Sequence, residues 1–523
     1  MTEVHGGTAI VEVLRAFGVN QFFNLPGESF LPVLDALRNE STIRLITNRH
    51  ESGSSFAADG FAKISGRPAV CMATRGPGAS NLSIGIQTAQ YDSTPMVALL
   101  GLIPTALQGS RAFQEFDPLS MFGSLAKKSL VVAARESLAT TVAQALCEAT
   151  IGRPGPVVVG IPTDILSAVA PQSHVGPPEA SVGVQPDIQP LLDRIHAASF
   201  PAFIMSTGAV RGSCAADIAT VASRLRAPVV CGWRRFSAFD NGHPYFAGSI
   251  GFESPRAVLS NLERADLVVA VGPLDHVSVD SGLLNRPGLT VVSVAPEQDA
   301  HLVRRLARAN LIQIASDPTV VAKLLAQEVG HGRAATNTFE PPDESPLFGG
   351  QKLTADSAVS RMNQWAPGDA VVVSDAGDFA LALLHHFKFD RMRSYVGPLN
   401  GAMGYGLPGA IGAKLADPTR PVFCVAGDGG LLMTVGEMET AIRLGLDLTV
   451  VVFNNSAYGT IRSRQAEAFP GHEFGTNLGD VSFTDIAKAM GWDAWSAHTN
   501  PEFDAALSNV ATSSGCRLVE VHL

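Results

Sequence analysis

Short runs of branched apolar residues recur along the whole chain. Each is closed by a turn rich in Gly, Asn, Asp or Ser and followed by a stretch of helical periodicity. Apolar runs without polar alternation mark strands buried on both faces, as in parallel sheets sandwiched by helices. The N-terminal third offers Gln21–Asn24, Ile43–Ile46, Ala69–Thr74, Met96–Leu100 and Pro156–Ile161. The middle offers Ala202–Met205, Pro228–Cys231, Leu267–Val271 and Leu289–Val294, and the C-terminal third Ala370–Ser374, Val422–Ala426, Leu448–Phe453 and Leu518–Val521. Two Pro-, Gly- and Ser-rich stretches, 171–189 and 330–350, read as linkers. The pattern predicts an α/β protein of three doubly wound parallel-sheet domains, at 1–172, 188–330 and 350–523.

Composition narrows the function class. The chain of 523 residues is 46% apolar and only 16% charged, enough to bury several cores. A net charge of −10 and a pI near 5.7 argue against nucleic-acid or membrane-surface partners. No apolar run approaches the roughly 18 residues of a membrane span. Met1-Thr-Glu-Val-His shows no signal peptide, and the six scattered cysteines contain no CxxC. The expectation is a cytoplasmic protein with reduced thiols.

The candidate chemistry is densest between residues 427 and 459. The strand pattern at 421–426 runs into Gly427-Asp428-Gly429-Gly430. A second, at 448–453, runs into Asn454-Asn455. The intervening segment is long enough for one helix and a return strand, so both motifs emerge at one carboxyl edge, where open α/β sheets bind ligands. A hard carboxylate at Asp428 and an amide oxygen at Asn455 suit Mg²⁺ bridging to phosphate. Gly429 and Gly430 leave backbone N–H groups bare at a helix start, as an anion requires.

Gly-Asp-Gly, this gap and Asn-Asn together resemble the signature of thiamine-diphosphate (ThDP) enzymes, in particular the acetolactate synthase-like branch of 2-oxo acid decarboxylases and carboligases. The resemblance covers nearly the whole chain. It implies a pyrimidine-binding domain, a central Rossmann-like domain and a diphosphate-binding domain. It also implies ThDP and Mg²⁺ as cofactors, a small 2-oxo acid as substrate, and self-association as a dimer or tetramer with each site shared between subunits. Glu51, in Asn48-Arg49-His50-Glu51, corresponds to the glutamate that bonds the pyrimidine ring nitrogen and activates the cofactor; His50 is either structural or a pocket wall. Pro26-Gly27 at the first βα turn and the loop containing Gly76 and Asn81 correspond to segments beside the pyrimidine. Met403, in the run Gly401-Ala402-Met403-Gly404, corresponds to the residue wedged between the cofactor's two rings, a role suited to an unbranched side chain. Asp375, Gly377 and Asp378 match the diphosphate end. So do Gly427, Asp428, Gly429, Gly430, Asn455, Ala457, Tyr458 and Gly459, with Asp428, Asn455 and the Ala457 carbonyl on the metal. Gln114, in Phe113-Gln114-Glu115, and Lys127 match residues lining the approach, where a cation could hold a 2-oxo acid carboxylate.

Some residues depart from the pattern. Arg464 stands where biosynthetic acetolactate synthases carry a Trp that selects the second substrate. Leu102 follows Gly101 where a Gln is usual. The central block reads Gly272-Pro273-Leu274-Asp275-His276 instead of the run associated with FAD, and the chain stops soon after its last strand. These leave FAD doubtful. They also leave two outcomes open, carboligation to a second carbonyl or simple decarboxylation ending in protonation.

Overall fold

Valine-rich runs with no polar alternation need a helix layer on each side, and the computed structural model is built on three sheets of that kind. It describes residues 3–171, 175–178, 185–207, 214–330, 338–342 and 350–523. Each sheet has six strands, all parallel. In spatial order the first sheet runs Arg44–Thr47, Gln21–Asn24, Ala69–Thr74, Met96–Leu102, Pro156–Pro162, Lys128–Val131. The central sheet runs Phe246–Ser249, Val229–Cys231, Pro201–Met205, Leu267–Val271, Thr290–Ala295, Asn310–Ala315. The third runs Tyr395–Val396, Val371–Ser374, Val422–Gly427, Leu448–Asn454, Cys516–His522, Asp493–Ala497. Inner strands such as Met96–Leu102 and Leu448–Asn454 are buried at every residue, which is why their sequences carry no polar alternation.

Every predicted strand exists, to within a residue or two at its ends. The sheet strands the hydrophobic pattern missed are Lys128–Val131, Phe246–Ser249, Asn310–Ala315, Tyr395–Val396 and Asp493–Ala497. All five are edge strands. An edge strand has one neighbour and a partly open face, so its sequence is mixed, as in the Lys-Ser-Leu-Val of 128–131. The small antiparallel pair Glu3–His5 with Val169–Pro171 was also not anticipated. The two predicted linkers fall in good part outside the described residues. Between Gly429 and Asn454 the chain forms two short helices, Asp428–Met433 and Glu437–Arg443, where one was expected. All six cysteines are unpaired.

The first and third sheets share a hydrophobic core. At its centre helix Glu51–Ser65 crosses helix Gly406–Ala416 at backbone contact distance. A Cβ on Gly412 would lie 1.9 Å from the Ala57 carbonyl oxygen, and one on Gly60 would lie 2.3 Å from that of Gly409. Only glycine permits this approach, so Gly412→Ala must push the helices apart. The expected cost is about 3 kcal/mol, read as a lower urea midpoint; an unchanged midpoint would contradict the close crossing.

Charges seal the same junction. The Lys63 ammonium contacts Asp59 at 2.6 Å and Asp92 at 2.8 Å, and Arg235 of the central sheet reaches Asp92 at 2.5 Å. Tyr405 donates to Asp59 at 2.6 Å. Burial pushes the Asp59 carboxyl up, against the pull of Lys63. Neighbouring cations hold Asp92 below its ordinary range despite its burial.

Candidate active site

At the carboxyl edge of the third sheet the turns after Val371–Ser374, Val422–Gly427 and Leu448–Asn454 converge on a cavity of about 290 Å³. Gly377, Asp378, Gly401, Met403, Gly427, Asp428, Gly429, Gly430, Asn455, Ala457, Tyr458 and Gly459 all line it. These twelve predicted positions lie up to 82 residues apart in sequence, since Thr460, another lining residue, donates to Asp378 at 2.7 Å across that interval. Met403 stands on a turn between Gly401 at φ +70° and Gly404 at φ +80°, a left-handed pair that a side chain would strain. That turn lifts the thioether out of the core and into the cavity wall.

The Asp428–Asn455–Ala457 cluster has the geometry of a hard-cation site. The Ala457 amide donates to Asp428 Oδ2 at 3.2 Å and to Asn455 Oδ1 at 3.1 Å, drawing both side-chain oxygens to one turn. Asp428 is buried, and its burial raises the carboxyl's pKa; the backbone N–H groups of Gly429 and Ala457 are the chief counterweights. A desolvated carboxylate beside an amide oxygen and a backbone carbonyl is an oxygen donor set with a charge to neutralise, which suits Mg²⁺. Among the described residues no cluster of three His, Cys, Asp or Glu side chains could hold a metal ion. The residues present therefore fit a phosphate-bridging ion better than a closed protein cage.

Asp375 is corrected. It is fully buried beneath the cavity and does not line it. Its carboxylate accepts from the amides of Ala376 at 2.6 Å, Gly404 at 3.0 Å and Gly406 at 3.1 Å. Burial pushes its pKa up to about 6 against those donors and Arg234. Asp375 thus holds the turn that carries Met403 and has no surface left for a diphosphate.

A second constellation sits at the carboxyl edge of the first sheet. Glu51 opens helix Glu51–Ser65, longer than the 52–60 expected, and is 9% exposed. Asn81 Nδ2 donates to Glu51 Oε2 at 3.0 Å, and a Cβ on Gly78 would come within 3.2 Å of Oε1. Gly27 packs on Thr74, and the Gly76 amide donates to the Gln114 carbonyl at 3.0 Å. Pro26, Gly27, Glu51, Gly76, Asn81 and Gln114 thus share one sheet edge. None of them lines the cavity of Asp428 in the same chain. His50 caps the helix, its ring nitrogen accepting from the Ser52 amide.

Lys127 is also corrected. It lies at the amino end of strand Pro156–Pro162, the opposite edge of the sheet, where its amide donates to the Pro156 carbonyl. Its ammonium donates to the carbonyls of Glu148 at 2.6 Å and Ile151 at 2.5 Å, closing the C-terminus of helix Leu138–Thr150. A cation there satisfies the last-turn carbonyls and opposes the helix dipole. Lys127→Met is expected to leave turnover within about twofold and cost about 1 kcal/mol of stability. A large loss of turnover in correctly folded variant would return Lys127 to the site.

One contributor escaped the sequence reading. Glu437 is buried and accepts from Asn48 Nδ2 at 2.9 Å, from the amides of Arg49 and His50 at 2.9 and 3.2 Å, and from Thr440 at 2.7 Å. It fixes the loop that delivers Glu51. Nothing in its local sequence signals this, because the loop it holds lies 387 to 389 residues away along the chain.

Comparison with known proteins agrees with this architecture. Three family models match in order: the N-terminal TPP binding domain of thiamine pyrophosphate enzymes at residues 4–121, their central domain at 188–338, and their C-terminal TPP binding domain at 375–521. The chain is 30% identical to the acetolactate synthase large subunit of Parasynechococcus marenigrum, over 99% of this chain and 88% of that one. It is 29% identical to the acetolactate synthase isozyme 2 large subunit of Escherichia coli, over 99% and 96%. The thiamine diphosphate-dependent 4-hydroxybenzoylformate decarboxylase of Rhodococcus jostii superposes with a TM-score of 0.86 over 99% of both chains at 23% identity, a likeness of fold. With three domain models in sequence and relatives matched end to end, the chain belongs to the thiamine-diphosphate-dependent enzymes, in their acetolactate synthase-like branch.

Proposed function

We propose that this enzyme decarboxylates a small 2-oxo acid, with Mg²⁺ and thiamine diphosphate, and joins the remaining acyl unit to a second carbonyl compound. The observation that carries the reading is the meeting of Asp428, Asn455, Ala457 and Met403 in one cavity. Thiamine diphosphate, when bound, supplies a nucleophilic carbon and an electron sink for the pair left behind when CO₂ departs. Asp428, Asn455 and the Ala457 carbonyl would hold the metal, and Gly429 and Gly430 present backbone donors to the phosphates. Met403 would support the bend between the rings. Glu51 would hold a proton at the pyrimidine nitrogen, with Asn81 fixing its carboxylate. Gln114, beside Gly76, would stand at the substrate's approach. The division at 1–172, 188–330 and 350–523 belongs to the same proposal, and FAD does not.

The site is proposed to be shared between two copies of the chain, in a dimer or a higher assembly. Glu51 and the cavity of Asp428 belong to different edges of one chain, so a partner is needed to bring them face to face. Exposed apolar side chains support this: Ile84 and Tyr91 lie on helix Arg75–Asp92, which contains Gly76, and Leu432, Met433 and Ile442 lie on the helices that follow Gly427.

A second reading, decarboxylation ended by protonation, draws on one observation. Arg464 lies exposed on helix Gly459–Ala468 and pairs with Glu467 at 2.9 Å, a polar surface in place of an aromatic wall. Incubating the protein with ThDP, Mg²⁺ and a panel of 2-oxo acids, with and without acceptor carbonyls, separates the two. Coupled product is expected; CO₂ and free aldehyde with no coupled product would leave only the second reading. No CO₂ from any acid would reject both.

A further inference from the structure

Where the three sheets meet, residues from all of them enclose a cavity of about 50 Å³. Lys63 and Asp92 come from the first, Arg234 and Arg235 from the central, and Arg393 and Tyr395 from the third. It is distinct from the cavity of Asp428 and shares no lining residue with it. Four cationic side chains face it against one carboxylate, Asp92, with Asp59 behind Lys63. Asp92 is already committed: its two oxygens contact Lys63 and Arg235, and the Leu399 amide also points at them. Asp375 accepts from Arg234 Nη2 at 3.2 Å through its main-chain carbonyl, while its carboxylate, which feels the Arg234 charge, is hydrogen-bonded to the amides of Ala376, Gly404 and Gly406.

Two buried donors are left over. Arg234 is 4% exposed, and its Nη1 has no hydrogen-bond partner among the described residues. Tyr395 is 6% exposed, and its hydroxyl has none either. Both lie beside Gly397, the residue that follows the cavity-lining Tyr395 and Val396: a Cβ on Gly397 would lie 2.6 Å from the Tyr395 hydroxyl and 3.0 Å from Arg234 Nη1. A guanidinium cannot escape by losing its proton, and leaving its N–H groups buried and unmet is costly. What is missing is a hydrogen-bond acceptor, and four cations lining the cavity with only Asp92 among them favour one that carries negative charge. The volume equals about three to five water sites, which limits the acceptor to a small group.

We propose that this junction is an anion site that takes a small oxyanion of the phosphate or sulfate class, held by Arg234 and Tyr395 within the cationic ring of Lys63, Arg235 and Arg393. Tetrahedral oxyanions accept several donors at once and match a guanidinium edge. Because the ligands come from all three sheets, the bound ion clamps the domains together and stabilises the folded chain by mass action.

The test is thermal unfolding of the full chain in rising inorganic phosphate, with ionic strength held constant by potassium chloride. Wild type is expected to show a saturable rise in midpoint of about 2–4 °C. Tyr395→Phe, which keeps the ring and its packing, and Arg234→Met should each flatten it. A parallel titration with ADP distinguishes a free ion from the phosphoryl end of a nucleotide, since only a free ion should act at equal strength without the nucleoside. A crystal soaked in selenate should show an anomalous peak beside Arg234 Nη1 and the Tyr395 hydroxyl. Equal phosphate responses in wild type and Tyr395→Phe, or a selenate map with water alone at that place, would overturn the proposal.

Discussion

Glu51→Gln should lower turnover by about 10²–10⁴-fold, the range for loss of a positioned proton-transfer group. The amide is isosteric and can still accept from Asn81, so the helix and its capping are retained. Affinity for ThDP should therefore change little, because the diphosphate and metal contacts lie on the other edge. This separation gives the variant its diagnostic value. A fall in turnover with ThDP still bound, seen as retained quenching of protein fluorescence at the same cofactor concentration, fits a proton held at the pyrimidine. A variant that turns over at the wild-type rate removes Glu51 from the chemistry. A variant that has lost the cofactor assigns it to binding instead.

Asp428→Asn should weaken binding of ThDP with Mg²⁺ by at least about 100-fold, since even outer-sphere partners of metal ligands matter by 10–100-fold. Stability should respond with two signs. Burial raises the Asp428 pKa above its unfolded value, so in the cofactor-free fold the ionised carboxylate is penalised. The contribution to stability is full at pH below the unfolded pKa and is lost as pH rises through the raised folded one. At neutral pH, then, Asp428→Asn should leave the cofactor-free protein as stable as wild type or more so. The variant should lack the rise in melting temperature that Mg²⁺ and ThDP together give wild type. Acidification toward the raised pKa should weaken metal binding in wild type, because protons and the metal compete for the same oxygens. A variant that keeps the full cofactor-dependent rise would remove Asp428 from the metal site.

The sequence exposed most of what lies at sheet centres and least of what depends on neighbours. Inner strands such as Leu448–Asn454 are buried on both faces, so the chain must write them as apolar runs. Edge strands such as Asp493–Ala497, where only Ala494 and Ala497 are buried, have a mixed composition that hides them. The motifs at 427–430 and 454–455 were legible for a geometric reason, since parallel strands deliver their carboxyl-end turns to one place, whereas Met403, Asp378 and the residues at 457–459 were legible only through the family resemblance. Asp375 shows the limit of that rule. It too follows a strand, yet it points under the edge into three backbone amides, and only the path of the chain at 401–406 decides this. Lys127 fails for a related reason. A match in sequence placed it near the substrate, but it precedes its strand and so lies at the wrong end of the sheet. Glu437 and the Arg234–Tyr395 junction were invisible because their partners are set by how domains pack, which no local pattern encodes.

A subunit-mixing experiment addresses the shared site most directly. Glu51→Gln and Asp428→Asn proteins, each impaired alone, are dissociated, mixed in equal amounts and reassociated. If Glu51 of one chain serves the metal cavity of its partner, each mixed dimer has one site carrying both substitutions and one carrying neither. Random pairing then restores about a quarter of wild-type activity, because half the dimers are mixed and half their sites intact. Activity that never exceeds that of the two parents, with mixed dimers shown to form, would contradict a site built across two chains.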